Sequence, residues 1–167
     1  MSDLLNQTVE HLKHLVAFDT RNPPREIDTG GIFAYIQQQL PGFEFSLTDH
    51  GAGAVSLLAK RGSPKLLFNV HLDTVPDAPG WSRNPHELLV TADKAIGLGA
   101  CDIKGAAAAL LAAANATAGA GDYRCLAVKT KLLHRVRPLC RCRWCRLTLA
   151  SMDRETVMTA FRKLQYL

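Results

Sequence analysis

The sequence lacks a long apolar run and a signal-like amino terminus. No stretch approaches the roughly 18 to 20 apolar residues that a membrane-spanning helix needs. The first residues also lack a positively charged region followed by an apolar core, which a secretory signal would contain. Neither absence favours membrane insertion or export, so we expect a cytoplasmic protein. The five cysteines are an odd number, which favours reduced thiols over a disulfide framework.

Acidic residues are scarce in the last part of the chain. Residues 123–146 contain eight Lys and Arg and no Asp or Glu, whereas residues 1–122 contain nine basic and thirteen acidic residues. The formal charge of +5 therefore comes from one short block. The same block holds four of the five cysteines: Cys125, Cys140, Cys142 and Cys145. This change in composition divides the chain into residues 1–122 and an atypical basic, Cys/Arg-rich tail, residues 123–167.

Three interpretations of the tail remain open. A zinc module would use Cys140, Cys142 and Cys145, with His134 as a further ligand, but their spacing lacks the paired pattern of such modules. A nucleic-acid-binding arm would need its arginines on one face beside a partner fold, so we do not expect nucleic acid as a partner. The abrupt change after Gly121 and Asp122 is more typical of an out-of-frame or chimeric segment.

Residues 1–122 have the pattern of an α/β domain. Apolar residues at helical spacing predict a first helix from Leu4 to Val16 and a second from Ile32 to Leu40. Short apolar runs predict strands over residues 43–48, 54–59 and 66–70. The alanine-rich stretch from Asp102 to Ala118 predicts a buried helix. The expected fold is a mixed sheet flanked by helices.

Two polar motifs stand where such a sheet would bind a ligand. His71 and Asp73 follow the apolar run 66–70, so they should emerge at the carboxyl end of a buried strand. Asp102 precedes the alanine-rich helix, in a loop whose glycines allow close backbone approach. Imidazole and carboxylate groups together suit a divalent metal ion. We expect His71 and Asp102 to lie within roughly 4 to 6 Å of each other.

Other interpretations of these residues are weaker. Gly97 and Gly99 resemble the start of a dinucleotide-binding loop, but Asp102 in place of the last glycine would repel a pyrophosphate. Cys101 is expected to be a buried filler without a role. The remaining histidines without a partner motif are expected at the surface: His11, His14, His50 and His86.

These motifs, and the loop from Phe18 to Pro24, resemble the amino-terminal part of the acetylornithine deacetylase, succinyl-diaminopimelate desuccinylase and carboxypeptidase G family of co-catalytic metallohydrolases. The resemblance covers about residues 1–122, so these residues would form a truncated zinc-exopeptidase-like catalytic domain. It implies that His71 is a metal ligand, that Asp73 orients it, and that Asp102 bridges two zinc or cobalt ions. The stretch from Asp77 to Trp81 and Gly97 to Gly99 looks most like the acetylornithine or acetylcitrulline deacetylase branch.

The resemblance also implies a function and its limits. The expected reaction is metal-dependent hydrolysis of the amide bond of an N-acyl amino acid. The preferred substrate is N-acetylornithine, in arginine biosynthesis. N-acetylcitrulline and N-succinyl-diaminopimelate are the alternative substrates. The family's general base is a glutamate, and no acidic pair matching it follows Asp102. The family's dimerisation domain is also not found in this sequence. We therefore expect little activity, and the alternative is a non-catalytic remnant or a fragment that binds a partner through its tail.

Overall fold

A computed structural model describes residues 3–22, 27, 30–51, 53–64, 66–116 and 124–129. The chain begins with two helices, α1 (Asp3–Ala17) and α2 (Ile32–Gln39). Three strands follow: β1 (Glu44–Asp49), β2 (Val55–Lys60) and β3 (Leu66–His71). After them come a hairpin of β4 (Leu89–Val90) and β5 (Ala95–Ile96), helix α3 (Gly105–Ala116) and strand β6 (Arg124–Lys129). The expected α/β fold is confirmed, and the three predicted strands lie within one residue of their predicted bounds.

The main sheet has the order β1-β2-β6-β3. β1 pairs antiparallel with β2, and β2 pairs antiparallel with β6. β3 pairs parallel with β6, so that His71 lies opposite Lys129 at the carboxyl ends of both strands. A parallel pair needs a crossover connection, and α3 lies in that connection. The sheet is therefore mixed, and His71 and the start of α3 occupy its ligand-binding edge.

Strand β6 changes the predicted division of the chain. It lies within the basic block, yet it pairs with a neighbouring strand on both of its edges. We therefore propose that the division predicted at residue 122 lies after this strand, because a strand paired on both edges is part of the sheet. Residues 130–167, which contain the rest of the basic and cysteine-rich block, lie outside the described residues.

Helices α1, α2 and α3 cover one face of the sheet. Their apolar side chains meet alternate residues of β2 and β3, as the period of a half-buried strand requires. The fully buried members of this core include Leu12, Leu15, Phe33, Ile36, Leu57, Leu72 and Leu111. The small side chains of Ala107, Ala108 and Ala112 are also buried, as expected for close helix packing. On the opposite face, Leu58 and Leu67 are exposed.

The alanine-rich helix begins later than predicted. α3 starts at Gly105, and the preceding residues from Ala100 to Lys104 form an irregular turn with non-helical backbone angles at Asp102 and Ile103. The peptide bond between these two residues is cis. Asp102 thus lies in the connection to α3 rather than in the helix. None of the helices in the described part of the chain is long and apolar enough to cross a membrane.

Candidate metal centre

His71 ends β3 with its two ring nitrogens facing different carboxylates. Its Nε2 atom lies 3.3 Å from Oδ1 of Asp102. Its Nδ1 atom lies 3.1 Å from the backbone carbonyl oxygen of Asp73 and 3.3 Å from Oδ1 of the same residue. The structure therefore brings the three predicted site residues together, at a separation slightly shorter than expected.

Asp73 is the less exposed of the two carboxylates. Its Oδ2 atom accepts a hydrogen bond of 3.3 Å from the side-chain amide of Asn22. Its Oδ1 atom is buried and, among the described residues, faces Nδ1 of His71 without the alignment of a hydrogen bond. Burial acts to raise the pKa of Asp73, but the interactions with His71 and Asn22 outweigh it, so the net pKa is lowered. Asp73 is thus held ionised beside the imidazole.

The neighbouring carboxylates also act on His71. Asp73 raises the pKa of His71 through its side-chain interaction with the ring, while burial of the ring acts in the opposite direction. The net pKa is raised. With Nδ1 directed at Asp73, the Nε2 atom is the nitrogen that can bind a cation, because a metal-binding histidine commonly donates its other ring hydrogen to a carboxylate or carbonyl.

Asp102 projects from the turn before α3, and its side chain is 86% exposed. The separation from His71 fits a shared ion: two ligand atoms about 2.0 to 2.2 Å from a tetrahedral zinc ion lie roughly 3.4 Å apart. The imidazole nitrogen and the carboxylate oxygen also match the ligand types that zinc and related ions prefer. Within the described ranges, no cluster of three or more His, Cys, Asp or Glu side chains is placed to hold a metal ion.

The segment from Phe18 to Asn22 supports the loop that carries His71 and Asp73. The hydroxyl of Thr20 donates to the carbonyl oxygen of Leu72 at 2.6 Å, and the backbone amide of Thr74 donates to the carbonyl oxygen of Thr20 at 2.9 Å. The backbone amide of Asn22 in turn donates to the carbonyl oxygen of Thr74 at 2.8 Å. Sequence reasoning assigned no role to Thr20 or Asn22, although both belong to the loop that resembles the family.

Arg21 ties the same segment to the residues after Thr74. Its guanidinium donates to both carboxylate oxygens of Asp19, with Nη2 at 2.6 Å from Oδ2, and its Nη1 donates to Asp77 at 2.6 Å. These bonds lower the pKa of Asp19 to about 2 and also lower the pKa of Asp77. Near this group, Nε2 of His86 lies 3.9 Å from Oδ1 of Asp19.

Two expectations about neighbouring residues are wrong. Cys101 is exposed, because the irregular turn before α3 directs it away from the core. His11 is buried, where its Nδ1 atom lies 2.8 Å from the hydroxyl of Tyr35, and burial lowers its pKa. An aromatic partner on α2 makes burial of this histidine possible, and its position on an apolar helix face was the available signal.

Comparison with known proteins is consistent with this arrangement. Residues 67–128 match the profile of Peptidase family M20/M25/M40. The match is confined to this segment, which is less than half of the chain. It includes all three candidate residues and nearly all of β6, so the match also extends past residue 122. The predicted resemblance to the deacetylase and desuccinylase family is confirmed.

Three curated relatives show how far the similarity extends. The N-acetyl-L-citrulline deacetylase of Xanthomonas campestris is 61% identical over 139 residues, which cover 76% of this chain and 38% of the relative. The acetylornithine deacetylase of Vibrio vulnificus is 42% identical over 38% of this chain and 18% of its own length. The succinyl-diaminopimelate desuccinylase of Gluconacetobacter diazotrophicus is 36% identical over 56% of this chain and 26% of its own. The chain therefore spans less than two fifths of the length of these relatives.

Solved structures with the same fold are more distant in sequence. Human carnosine dipeptidase 1 superposes with a TM-score of 0.64 at 23% identity, covering 75% of this chain and 32% of that protein. An M20 family metallo-carboxypeptidase of Sulfolobus solfataricus superposes with a TM-score of 0.56 at 22% identity. The superposition covers 77% of this chain and 30% of the carboxypeptidase chain. These likenesses establish the fold.

Proposed function

We propose that this chain supplies part of the metal centre of an N-acyl amino acid amidohydrolase. In this proposal Nε2 of His71 and the carboxylate of Asp102 would hold divalent ions, and Asp73 would orient the imidazole. The observation that carries the proposal is the 3.3 Å separation between Nε2 of His71 and Oδ1 of Asp102, with the other ring nitrogen directed at Asp73. Zinc and cobalt are the proposed ions, because both accept mixed nitrogen and oxygen ligands.

Each residue has a distinct task in this site. Asp73 keeps the hydrogen of His71 on Nδ1 and leaves Nε2 as a ligand. Asn22 holds Asp73 in place through its side-chain amide. Asp102 presents an exposed carboxylate to the same space. When bound, a pair of divalent ions would polarise the substrate carbonyl and lower the pKa of a water molecule.

The proposed substrate is an N-acetyl amino acid, with N-acetyl-L-citrulline ahead of N-acetylornithine. The order rests on identity, which is 61% over 76% of this chain for the citrulline deacetylase and 42% over 38% for the ornithine deacetylase. N-succinyl-diaminopimelate is the third candidate, from a relative at 36% identity. A place in arginine biosynthesis is part of the same proposal.

Turnover by this chain alone is proposed to be slow. Proton transfer by a positioned base typically raises the rate of the reaction by 10²- to 10⁴-fold, and no glutamate of this chain has been assigned that task. The only acids after Asp122 are Asp153 and Glu155, whose surrounding sequence does not match the family's acidic pair.

We also propose that residues 130–167 are an out-of-frame or chimeric segment. The nucleotide sequence read in three frames around codons 122 to 130 tests this origin.

Metal binding by the purified chain tests the proposal. Isothermal titration with Co²⁺ and Zn²⁺ is expected to show binding that is lost in His71→Ala and in Asp102→Asn. His50→Ala is the matched control, since His50 lies outside the site and contacts Ser56. Binding that persists in both site variants would contradict the proposed ligands. Hydrolysis of the three candidate substrates, measured with the same proteins, then ranks them.

A further inference from the structure

Lys104 is a buried cation close to the candidate metal centre. Its side chain is among the largest fully buried groups, with 1% of the residue exposed. Its ammonium donates a hydrogen bond of 2.9 Å to the backbone carbonyl oxygen of Phe18. Within the described residues it forms no ion pair shorter than 4.0 Å with a carboxylate. Because burying a charged group without a counter-ion is costly, a lysine at this place calls for a specific reason.

The carbonyl that Lys104 binds belongs to the segment that supports the other half of the site. Phe18 stands two residues before Thr20, which bonds to the backbone of both Leu72 and Thr74. Lys104 itself stands two residues after Asp102. Hydrogen bonds thus link the turn of Asp102 to residues 18–20, and link residues 18–20 in turn to the loop of His71 and Asp73.

Gly99 lies where the loop of His71 and Asp73 and the turn of Asp102 come into close contact. It has a positive φ of 75°, and a Cβ atom there would lie 2.4 Å from Cγ2 of Thr74 and 3.4 Å from Cδ of Lys104. The backbone amide of Lys104 also donates to the carbonyl oxygen of Gly99 at 2.9 Å. The lysine stem therefore packs against the backbone where the two ligand-bearing loops meet, which leaves little room for them to shift independently.

We propose that Lys104 is a positioning residue that sets the separation between Asp102 and His71. Its hydrogen bond to the carbonyl oxygen of Phe18 fixes the turn of Asp102 to residues 18–20, and Thr20 fixes those residues to Leu72 and Thr74. Lys104 contacts neither ion nor substrate in this account. The inference rests on the proposed function, because it concerns the distance between the two proposed ligands.

The substitution Lys104→Met tests this role, since it keeps most of the apolar stem and removes the donor. In Co²⁺ titrations of the full chain, we expect affinity to fall about 10- to 100-fold, the usual effect of removing a group that supports a metal ligand. The visible absorption of bound Co²⁺ should also change in shape, because the ligand geometry changes. Ile36→Ala, a core substitution on α2, should lower stability while leaving the Co²⁺ spectrum and affinity within about twofold of wild type. Wild-type affinity and spectrum in Lys104→Met would overturn the proposal.

A second measurement works on the metal-free chain, so that failure of the proposed function and failure of this inference are distinguishable. In Lys104→Met, hydrogen exchange should accelerate at the backbone amides of position 104 and Thr74, relative to the backbone amide of Leu57 in the sheet. Thr20→Val, which removes the bond to Leu72, should have the same effect at Thr74. If Lys104→Met leaves Thr74 as protected as in wild type, the two loops are not coupled through Lys104 and the proposal is wrong, whether or not wild type binds Co²⁺.

Discussion

Nε2 of His71 lies 3.3 Å from Oδ1 of Asp102, although one residue ends β3 and the other precedes α3. The two meet because the strand and the following helix of a parallel crossover unit both reach the same edge of the sheet. The separation depends on close contact between two loops, so it should respond to changes in residues that touch neither side chain.

Asp73→Asn should weaken metal binding by about 10- to 100-fold, because a neutral amide orients the imidazole less firmly than a carboxylate does. The same change should lower the pKa of His71 towards 6.5, since Asp73 is the main cause of its raised value. The stabilisation from this pair is complete below the unfolded pKa and is lost as pH rises through the raised folded pKa. Histidine NMR titration of the metal-free chain measures the shift, and Asp93→Asn is the control. An unchanged His71 pKa would contradict the assignment.

Gly99→Ala should destabilise the chain more than Gly42→Ala. Both glycines have a positive φ, 75° and 78°, so each alanine should cost about 1 to 2 kcal/mol in backbone strain. At Gly42 a Cβ atom meets nothing within 4 Å, whereas at Gly99 it would meet Thr74 Cγ2 at 2.4 Å. The clash should add about 1 to 3 kcal/mol to the loss in unfolding free energy, measured in urea.

Thr74→Ser removes the methyl group that a Cβ at Gly99 would meet. The double variant Gly99→Ala with Thr74→Ser should therefore recover most of the additional loss. Equal destabilisation by Gly99→Ala and Gly42→Ala would show that the contact with Thr74 is not tight.

Lys104 should make unfolding depend on pH in the alkaline range. Burial lowers its pKa from 10.5 to about 8 in the folded chain. Between these two values the unfolded chain binds more protons, so stability should rise with pH across this window. The unfolding free energy of wild type relative to Lys104→Met should increase by up to about 3 kcal/mol from pH 8 to 10.5. A flat difference would mean that the ammonium is not buried as described.

Arg21→Gln should raise the pKa of Asp19 from about 2 towards 3.8, because the guanidinium hydrogen bonds are the main cause of the low value. A lowered carboxyl pKa gives stability that is present above 3.8 and is lost as pH falls through about 2. Asp19 is half exposed, so solvent screening should keep the effect on unfolding small. Carboxyl NMR titration checks the pKa, with Asp49, whose carboxylate accepts from the backbone amide of Gly51, as the reference. A pKa still near 2 would contradict the assignment.

The sequence predicted the parts of the fold that depend on local pattern. The apolar run 66–70 marked β3, and the position of His71 directly after it placed the imidazole at the ligand-binding edge. Asp102 was expected at the junction before the alanine-rich helix, where the structure has it. Both features follow from periodicity and chain order, which a single sequence contains.

Other features depend on contacts that sequence patterns do not show. β6 was missed because its basic neighbours hide the short apolar run of Leu126, Ala127 and Val128. A lysine is normally a surface residue, so the burial of Lys104 follows only from the way the loops of Phe18 and Gly99 surround it. The role of Thr20 likewise comes from backbone groups distant in the chain.

Anomalous diffraction from crystals of the chain grown with Zn²⁺ tests the central claim most directly. The account predicts a zinc peak about 2.0 to 2.2 Å from both Nε2 of His71 and a carboxylate oxygen of Asp102, with Nδ1 of His71 still facing Asp73. A zinc peak elsewhere, or none between these two side chains at saturating Zn²⁺, would contradict the proposed metal centre.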